Sequence, residues 1–170
     1  MTGVQTLLFR SPPAARRIRP RRCRLHAVPP PARLFSYRYE DKGGTTLAAT
    51  ALGIEEHRVI KTLVMENDSG NPLIILMHGD RQVSTKHLAR HLQAKSVKPC
   101  DPQKVTRLTG YVVGGISPFG VRTPMPVYME SGIALLSEIY LNAGKRGWLV
   151  KIQTADVLNA LKPALVQVGI

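Results

Sequence analysis

From Leu34 onward the chain runs in short apolar stretches whose period switches between two and about 3.6, as when strands and helices interleave. Val59 to Glu66 and Leu73 to Met77 are apolar runs of strand length. The segment between them, Asn67-Asp68-Ser69-Gly70-Asn71, consists of turn-forming residues, and together they predict a hairpin. Leu34–Tyr39, Val127–Met129, Ile139–Leu141 and Leu149–Ile152 are expected as further strands, the last two joined by Ala143-Gly144-Lys145-Arg146-Gly147. Four helices are expected: Thr45–Leu52, stopped by Gly53; a helix capped by Ser84 and running to about Ala94; one with Asp101 as N-cap, Pro102 in its first turn and Gly110 at its end; and Ala155–Leu161, opened by Thr154. Hairpins mixed with helices fit an α+β fold on a mixed, largely antiparallel sheet better than a doubly wound parallel one. No internal repeat is visible, and no apolar run is long enough to span a membrane.

Residues 1–33 break this pattern. Pro12, Pro13, Pro20, Pro29, Pro30 and Pro31 are interspersed with arginines, so no useful helix or apolar face forms there, and the stretch is expected to be irregular or disordered. The domain proper is expected over 34–170. Three readings of the extension compete: an RNA-binding tail, an organellar transit peptide, and sequence preceding the natural start. Arginine without acid suits the transit peptide, and the prolines oppose it. With 170 residues and 44% hydrophobic content, the chain can build one core and hardly two. The formal net charge of +13 suggests nucleic acid at first sight. Nine arginines lie in residues 1–38 with no acid, however, so the remaining 132 residues carry only +4. That balance is compatible with a local tRNA patch and demonstrates none.

Two features carry candidate chemistry. Gly110-Tyr111-Val112-Val113-Gly114-Gly115-Ile116-Ser117-Pro118-Phe119-Gly120 is a glycine-rich turn whose backbone can approach a ligand closely and offer its amides. Lys61 stands inside an apolar strand and supplies a complementary cation. Each also has a plain reading, the turn as a tight connection and the lysine as a side chain snorkelling to solvent. The loop lacks the Gly-Lys-Ser/Thr ending of a P-loop, and no Gly-x-Ser-x-Gly elbow occurs. Cys23 and Cys100 are too few and too far apart for a zinc site and are expected as reduced thiols. His87 and His91 share a helix face, but Leu88 stands where a zinc protease needs glutamate, so a polar face accounts for them. No metal or cofactor is expected.

The stretches Tyr39-Glu40, Arg58-Val59-Ile60-Lys61-Thr62-Leu63, Asp101-Pro102, Thr109 to Gly120 and Gly144-Lys145-Arg146-Gly147 occur in an order and spacing that resembles the YbaK family of aminoacyl-tRNA deacylases, relatives of the editing domain of bacterial prolyl-tRNA synthetase. The resemblance covers roughly residues 34–168. It implies a twisted sheet or pseudo-barrel with flanking helices, acting as a trans-editing hydrolase on the ester of mischarged tRNA. The Thr-Gly-Tyr-x-Val-Gly-Gly-Ile-Ser-Pro segment resembles that of the Cys-tRNA(Pro) deacylases.

An aminoacyl ester is already activated, so orientation and oxyanion stabilisation can suffice without a protein nucleophile. By the resemblance, Lys61 anchors the substrate end, the amides around Gly114, Gly115 and Ile116 hold the carbonyl oxygen or ribose hydroxyls, and Tyr39 lines the pocket. Thr62, Ser117 and Pro118 are further substrate-side positions, with Thr62 and Ser117 equally able to stabilise their own strand and turn, and Lys145 and Arg146 are expected either to meet the tRNA acceptor end or to form a solvated hairpin tip. Prolyl-tRNA synthetase is an expected transient partner, and the location is expected to be cytoplasmic, with organellar targeting as the lesser alternative. The same chemistry on Ala-tRNA or another small residue, and a non-catalytic tRNA- or synthetase-binding module, remain alternatives. Two departures stand out: the Pro-Arg stretch replaces the helix that usually precedes the Tyr39 strand, and Trp148-Leu149-Val150 follows the Lys145-Arg146 turn where several relatives carry an acid.

Overall fold

The computed structural model describes residues 32–170. Its twelve regular elements are β1 (Ala32–Ser36), α1 (Gly44–Leu52), β2 (Val59–Asn67), β3 (Pro72–His78), α2 (Thr85–His91), β4 (Val97–Pro99), α3 (Pro102–Thr109), β5 (Val127–Glu130), β6 (Glu138–Asn142), β7 (Trp148–Gln153), α4 (Thr154–Leu161) and β8 (Ala164–Val166). Short 3-10 turns cover Glu56–Arg58 and Ser131–Leu135. The strands form one eight-stranded sheet in the order β1-β7-β6-β2-β3-β5-β8, with β4 paired to β2 off this path. The β1–β7, β6–β7, β2–β3 and β2–β4 pairs are antiparallel, and the β2–β6, β3–β5 and β5–β8 pairs parallel. This is the mixed, largely antiparallel α+β sheet expected.

Local chemistry sets the joints. In the β2–β3 turn the Asn67 side-chain oxygen accepts the N–H groups of Ser69 and Asn71 at 3.1 and 2.9 Å, an Asx arrangement that closes the hairpin. Asp101 caps α3 by accepting from Gln103 and Lys104, and Gly110 ends that helix in the left-handed region at φ 77°. Ser84 caps α2 in the same way.

One strand organises the molecule. β3 pairs with β2 along one edge from Ile60 to Glu66. The other edge is shared, by β6 at Val59 and Ile60 and by β4 at Met65–Asn67. Between them the sheet forks, and neither strand pairs with Lys61–Val64 there. One face of the sheet is a continuous core containing Ile60, Val64, Ile74 and Leu141, covered by Val105 of α3, Val157 of α4 and Tyr111, Ile116 and Phe119. The other face carries two separate clusters: Val59, Tyr140 and Leu149 under Ala48 and Ala49 of α1, and Met65, Ile75 and Met77 under Leu88 and Ala89 of α2. Lys61 lies on this second face, between the two clusters.

Several boundaries differ from expectation. β1 starts at Ala32, inside the stretch assigned to the extension, and stops at Ser36 rather than Tyr39. Tyr37 still donates to the Gly147 carbonyl at 2.9 Å, but Trp148 is the first residue of β7, so no partner strand continues. α2 ends at His91 because Gln93 turns left-handed at φ 53°. Gln153 occupies the N-cap of α4, and the Thr154 hydroxyl has no hydrogen-bond partner. The three-residue strands β4 and β8 were not expected. The expectations for residues 1–31 lie outside the described residues. Among the described residues no helix is long and apolar enough to cross a membrane.

Candidate functional site

At the fork of the sheet lies a cavity of about 800 Å³. Its walls come from both sides of β2. Lys61, Val59 and Leu63 stand with Thr45, Ala48 and Val83 on one side, Thr62 and Val64 with Cys100, Val105 and Ile116 on the other, and Tyr39 and Gly114 lie against each other at the lip. Successive strand residues point to opposite faces, which is why adjacent residues of β2 line both halves. The Val64 carbonyl accepts the Cys100 N–H at 3.0 Å on the open edge. Residues two apart share an edge, so the amide and carbonyl of Thr62 also face the gap.

Lys61 is held by backbone. Its ammonium donates to the carbonyl of Gly79 at 3.0 Å and to that of Arg81. An ammonium has three donors, so one remains for the cavity. Burial pulls its pKa below that of an ordinary lysine, opposed by the carboxylates of Glu56 and Asp80. The turn bearing the two carbonyls is fastened at several points. Gly79 admits no side chain: a Cβ there would sit 2.5 Å from the Glu56 carbonyl oxygen. The Thr45 hydroxyl lies 3.1 Å from the Gly79 carbonyl and 2.7 Å from a Glu56 carboxylate oxygen, with its single proton shared between the two acceptors.

Asp80 is gripped by His57 Nδ1, 3.0 and 2.9 Å from its two oxygens. The His57 ring stacks on buried His78 at 3.7 Å and 14°, and His78 Nδ1 donates to the His57 carbonyl at 2.7 Å. Burial raises the Asp80 pKa, but the His57 hydrogen bond and charge outweigh it, so the net shift is downward. Burial lowers the His78 pKa. The ligand atoms of His57, His78 and Asp80 lie within 4.8 Å of one another, a spacing that would suit a metal ion. Each residue is instead engaged by another of the three, through its side chain or backbone, and the group clamps the Lys61 turn. Sequence reasoning missed it, although a hairpin centred on Ser69 carries His57 across to the 78–81 segment.

The glycine loop forms the opposite lip. The Gly115 N–H is spent on the Val112 carbonyl at 2.9 Å, closing the turn. The N–H groups of Gly114 and Ile116 have no acceptor among the described residues. Gly115 is needed for close approach, since a Cβ there would lie 2.7 Å from the Arg146 nitrogen. Arg146 locks the two turns together by donating to the Val113 carbonyl at 2.9 Å, and its guanidinium sits 5.0 Å over the Tyr39 ring.

Lys61, Thr62, Tyr39, Gly114 and Ile116 therefore line one cavity. Gly115, Lys145 and Arg146 stand behind or beside its lip. Ser117 and Pro118 are buried outside the lining, where the Ser117 hydroxyl accepts the Phe119 N–H at 3.2 Å. The Thr62 hydroxyl is buried without a partner. Cys100, which sequence reasoning left as a spectator, also lines the wall. Burial, reinforced by Glu66, pushes its thiol pKa up to about 11, so it is protonated at neutral pH and is no nucleophile.

Residues 41–160 match the aminoacyl-tRNA editing domain family. The chain is 31% identical over 134 residues to the candidate Cys-tRNA(Pro)/Cys-tRNA(Cys) deacylase EbsC of Enterococcus faecalis, covering 79% of this chain and 81% of that protein. It is 32% identical over 111 residues to the proline–tRNA ligase of Moorella thermoacetica, covering 65% of this chain but only 19% of the ligase. Among solved structures, a candidate trans-editing enzyme for prolyl tRNA synthetase superposes with a TM-score of 0.74 at 21% identity, over 82% of this chain and 87% of the other. By the extent of the family match and the identity to EbsC, the chain belongs to the aminoacyl-tRNA editing domain family.

Proposed function

We propose that this protein hydrolyses the ester of mischarged aminoacyl-tRNA in trans, with Cys-tRNA(Pro) as its preferred substrate and Lys61 as the group that engages the reacting end. The observation that carries this reading is the cavity itself, whose lining includes Lys61, with one donor not spent on backbone, and Gly114 and Ile116, whose amides have no acceptor among the described residues. Donors fixed before reaction stabilise the developing oxyanion without reorganisation, each typically contributing about 3 to 4 kcal/mol. The attacking group is a bound water or, for a cysteinyl ester, the substrate's own thiol. The protonated state of Cys100 supports a mechanism without a protein nucleophile. The preference for cysteine and for tRNA(Pro) rests on the named activity of EbsC and on the likeness to proline–tRNA ligases, and prolyl-tRNA synthetase is the partner this reading implies.

The test is deacylation of Cys-tRNA(Pro), Ala-tRNA(Pro) and Pro-tRNA(Pro) by the full chain and its Lys61→Ala variant. The expected result is Lys61-dependent loss of cysteine alone, with the variant down at least about 100-fold. Equal loss of alanine would move the specificity, and full activity of Lys61→Ala would remove the mechanism.

A further inference from the structure

The turn beside the cavity carries a feature that the reaction does not use. Trp148 is the only tryptophan of the chain and is 37% exposed, and the Lys145 ammonium stands 5.7 Å from its ring centroid. By strand alternation its side chain leaves β7 on the face of Val150, which packs in the same core as Tyr111 and Ile116 of the glycine loop. Val112 and Val113 of that loop are exposed at 55% and 43%. An exposed apolar surface, an aromatic ring and two cations thus border the lip formed by Val113, Gly114 and Tyr39. Trp148 keeps part of its ring open to solvent beside that apolar surface.

We infer that Trp148 is a stacking platform for an unpaired base of the tRNA 3′ end, with Lys145 and Arg146 meeting the phosphates on either side of it. This rests on the aminoacyl-tRNA reading above and adds how the nucleic acid is gripped. Single strands are held by this combination, since every base has a π face that an indole can cover and every linkage has a charge that an ammonium or guanidinium can meet. Arg146 is already turned to the lip by its bond to the Val113 carbonyl, and its acidic partner among the described residues, Asp41, is solvent-exposed at 3.7 Å and readily displaced by phosphate. Bases inside a duplex cannot use the platform, because both of their faces are stacked within the helix. The platform therefore selects a frayed or naturally single-stranded end.

The sole tryptophan makes the test direct. Titrating the full chain with a short RNA ending in unpaired CCA should quench Trp148 fluorescence, with an affinity that falls as salt rises. A blunt-ended RNA duplex of equal charge, with no unpaired base, should quench far less even if it binds elsewhere. Trp148→Ala should raise KM for aminoacyl-tRNA about 5- to 100-fold, with the loss carried by KM rather than kcat, and Trp148→Phe should recover most of it. Lys61→Ala should still quench, so a failed catalytic reading and a failed platform give different results. Absence of quenching by CCA-ended RNA, or equal quenching by the blunt duplex, would overturn the inference.

Discussion

Thr62 and Cys100 face each other's surroundings across the apolar half of the cavity, and each leads to a measurable consequence. The buried, unpartnered hydroxyl of Thr62 is a cost in the empty protein and a hydrogen-bonding opportunity for a substrate. Thr62→Val is expected to stabilise the free protein by about 1 kcal/mol in denaturant titration. The same variant should raise KM for aminoacyl-tRNA several-fold. Cys100 should be a sluggish thiol: with a pKa of about 11, its thiolate fraction at pH 7 is roughly 300-fold below that of an ordinary cysteine. Kinetics with a disulfide reagent in a Cys23→Ser background would check this, and labelling as fast as free cysteine would contradict the burial argument.

At the scale of elements, the clamp of His57, His78 and Asp80 decides where Lys61 points. Asp80→Asn keeps the shape but weakens the charged grip, so the turn carrying the Gly79 and Arg81 carbonyls should loosen. The expected outcome is a fall in kcat of about 10-fold, with KM nearly unchanged and faster amide exchange at residues 79–82. The clamp also sets a pH response. Burial keeps the folded-state pKa of His78 below its reference of 6.5, so below about pH 6.5 the unfolded chain takes up a proton that the native state resists. Stability is therefore complete above that pH and is lost on acidification toward the folded value. Melting temperatures should fall between about pH 7 and 5, and His78→Gln should flatten the fall.

Much of the frame was legible in the sequence because strong local signals marked it: the Asn67–Asn71 turn, the Asp101-Pro102 cap and the apolar runs of β2 and β3. β4 and β8 were not legible, since three residues carry too little periodicity and their strand state comes from pairing with β2 and β5. Lys61 and the glycine loop were singled out, but the clamp depends on residues 23 apart that meet only when the hairpin closes. Likewise, nothing in the residue string showed that the Gly115 amide would be consumed inside its own turn.

Over the whole molecule, the last described residues tie distant parts of the sheet to the site. Buried Glu130, at the end of β5, accepts the N–H groups of Val168 and Gly169, each at 2.8 Å. Gln82 and Ile170 exchange backbone hydrogen bonds at 2.9 Å, and Gln82 lines the cavity. Glu130→Ala would strand two amides and is expected to cost about 3 kcal/mol in chemical denaturation, with Glu130→Gln costing roughly half as much. The fork in the sheet has a wider consequence. Lys61 and Thr62 are chain neighbours that look into opposite halves of one chamber, so the proposed reagent and the wall across β2 are one peptide unit of the strand apart. Mutations in α3, which contributes Val105, can then reshape that wall while the lysine keeps its frame. On the proposed reading, drift in substrate choice and persistence of chemistry are separable on this scaffold.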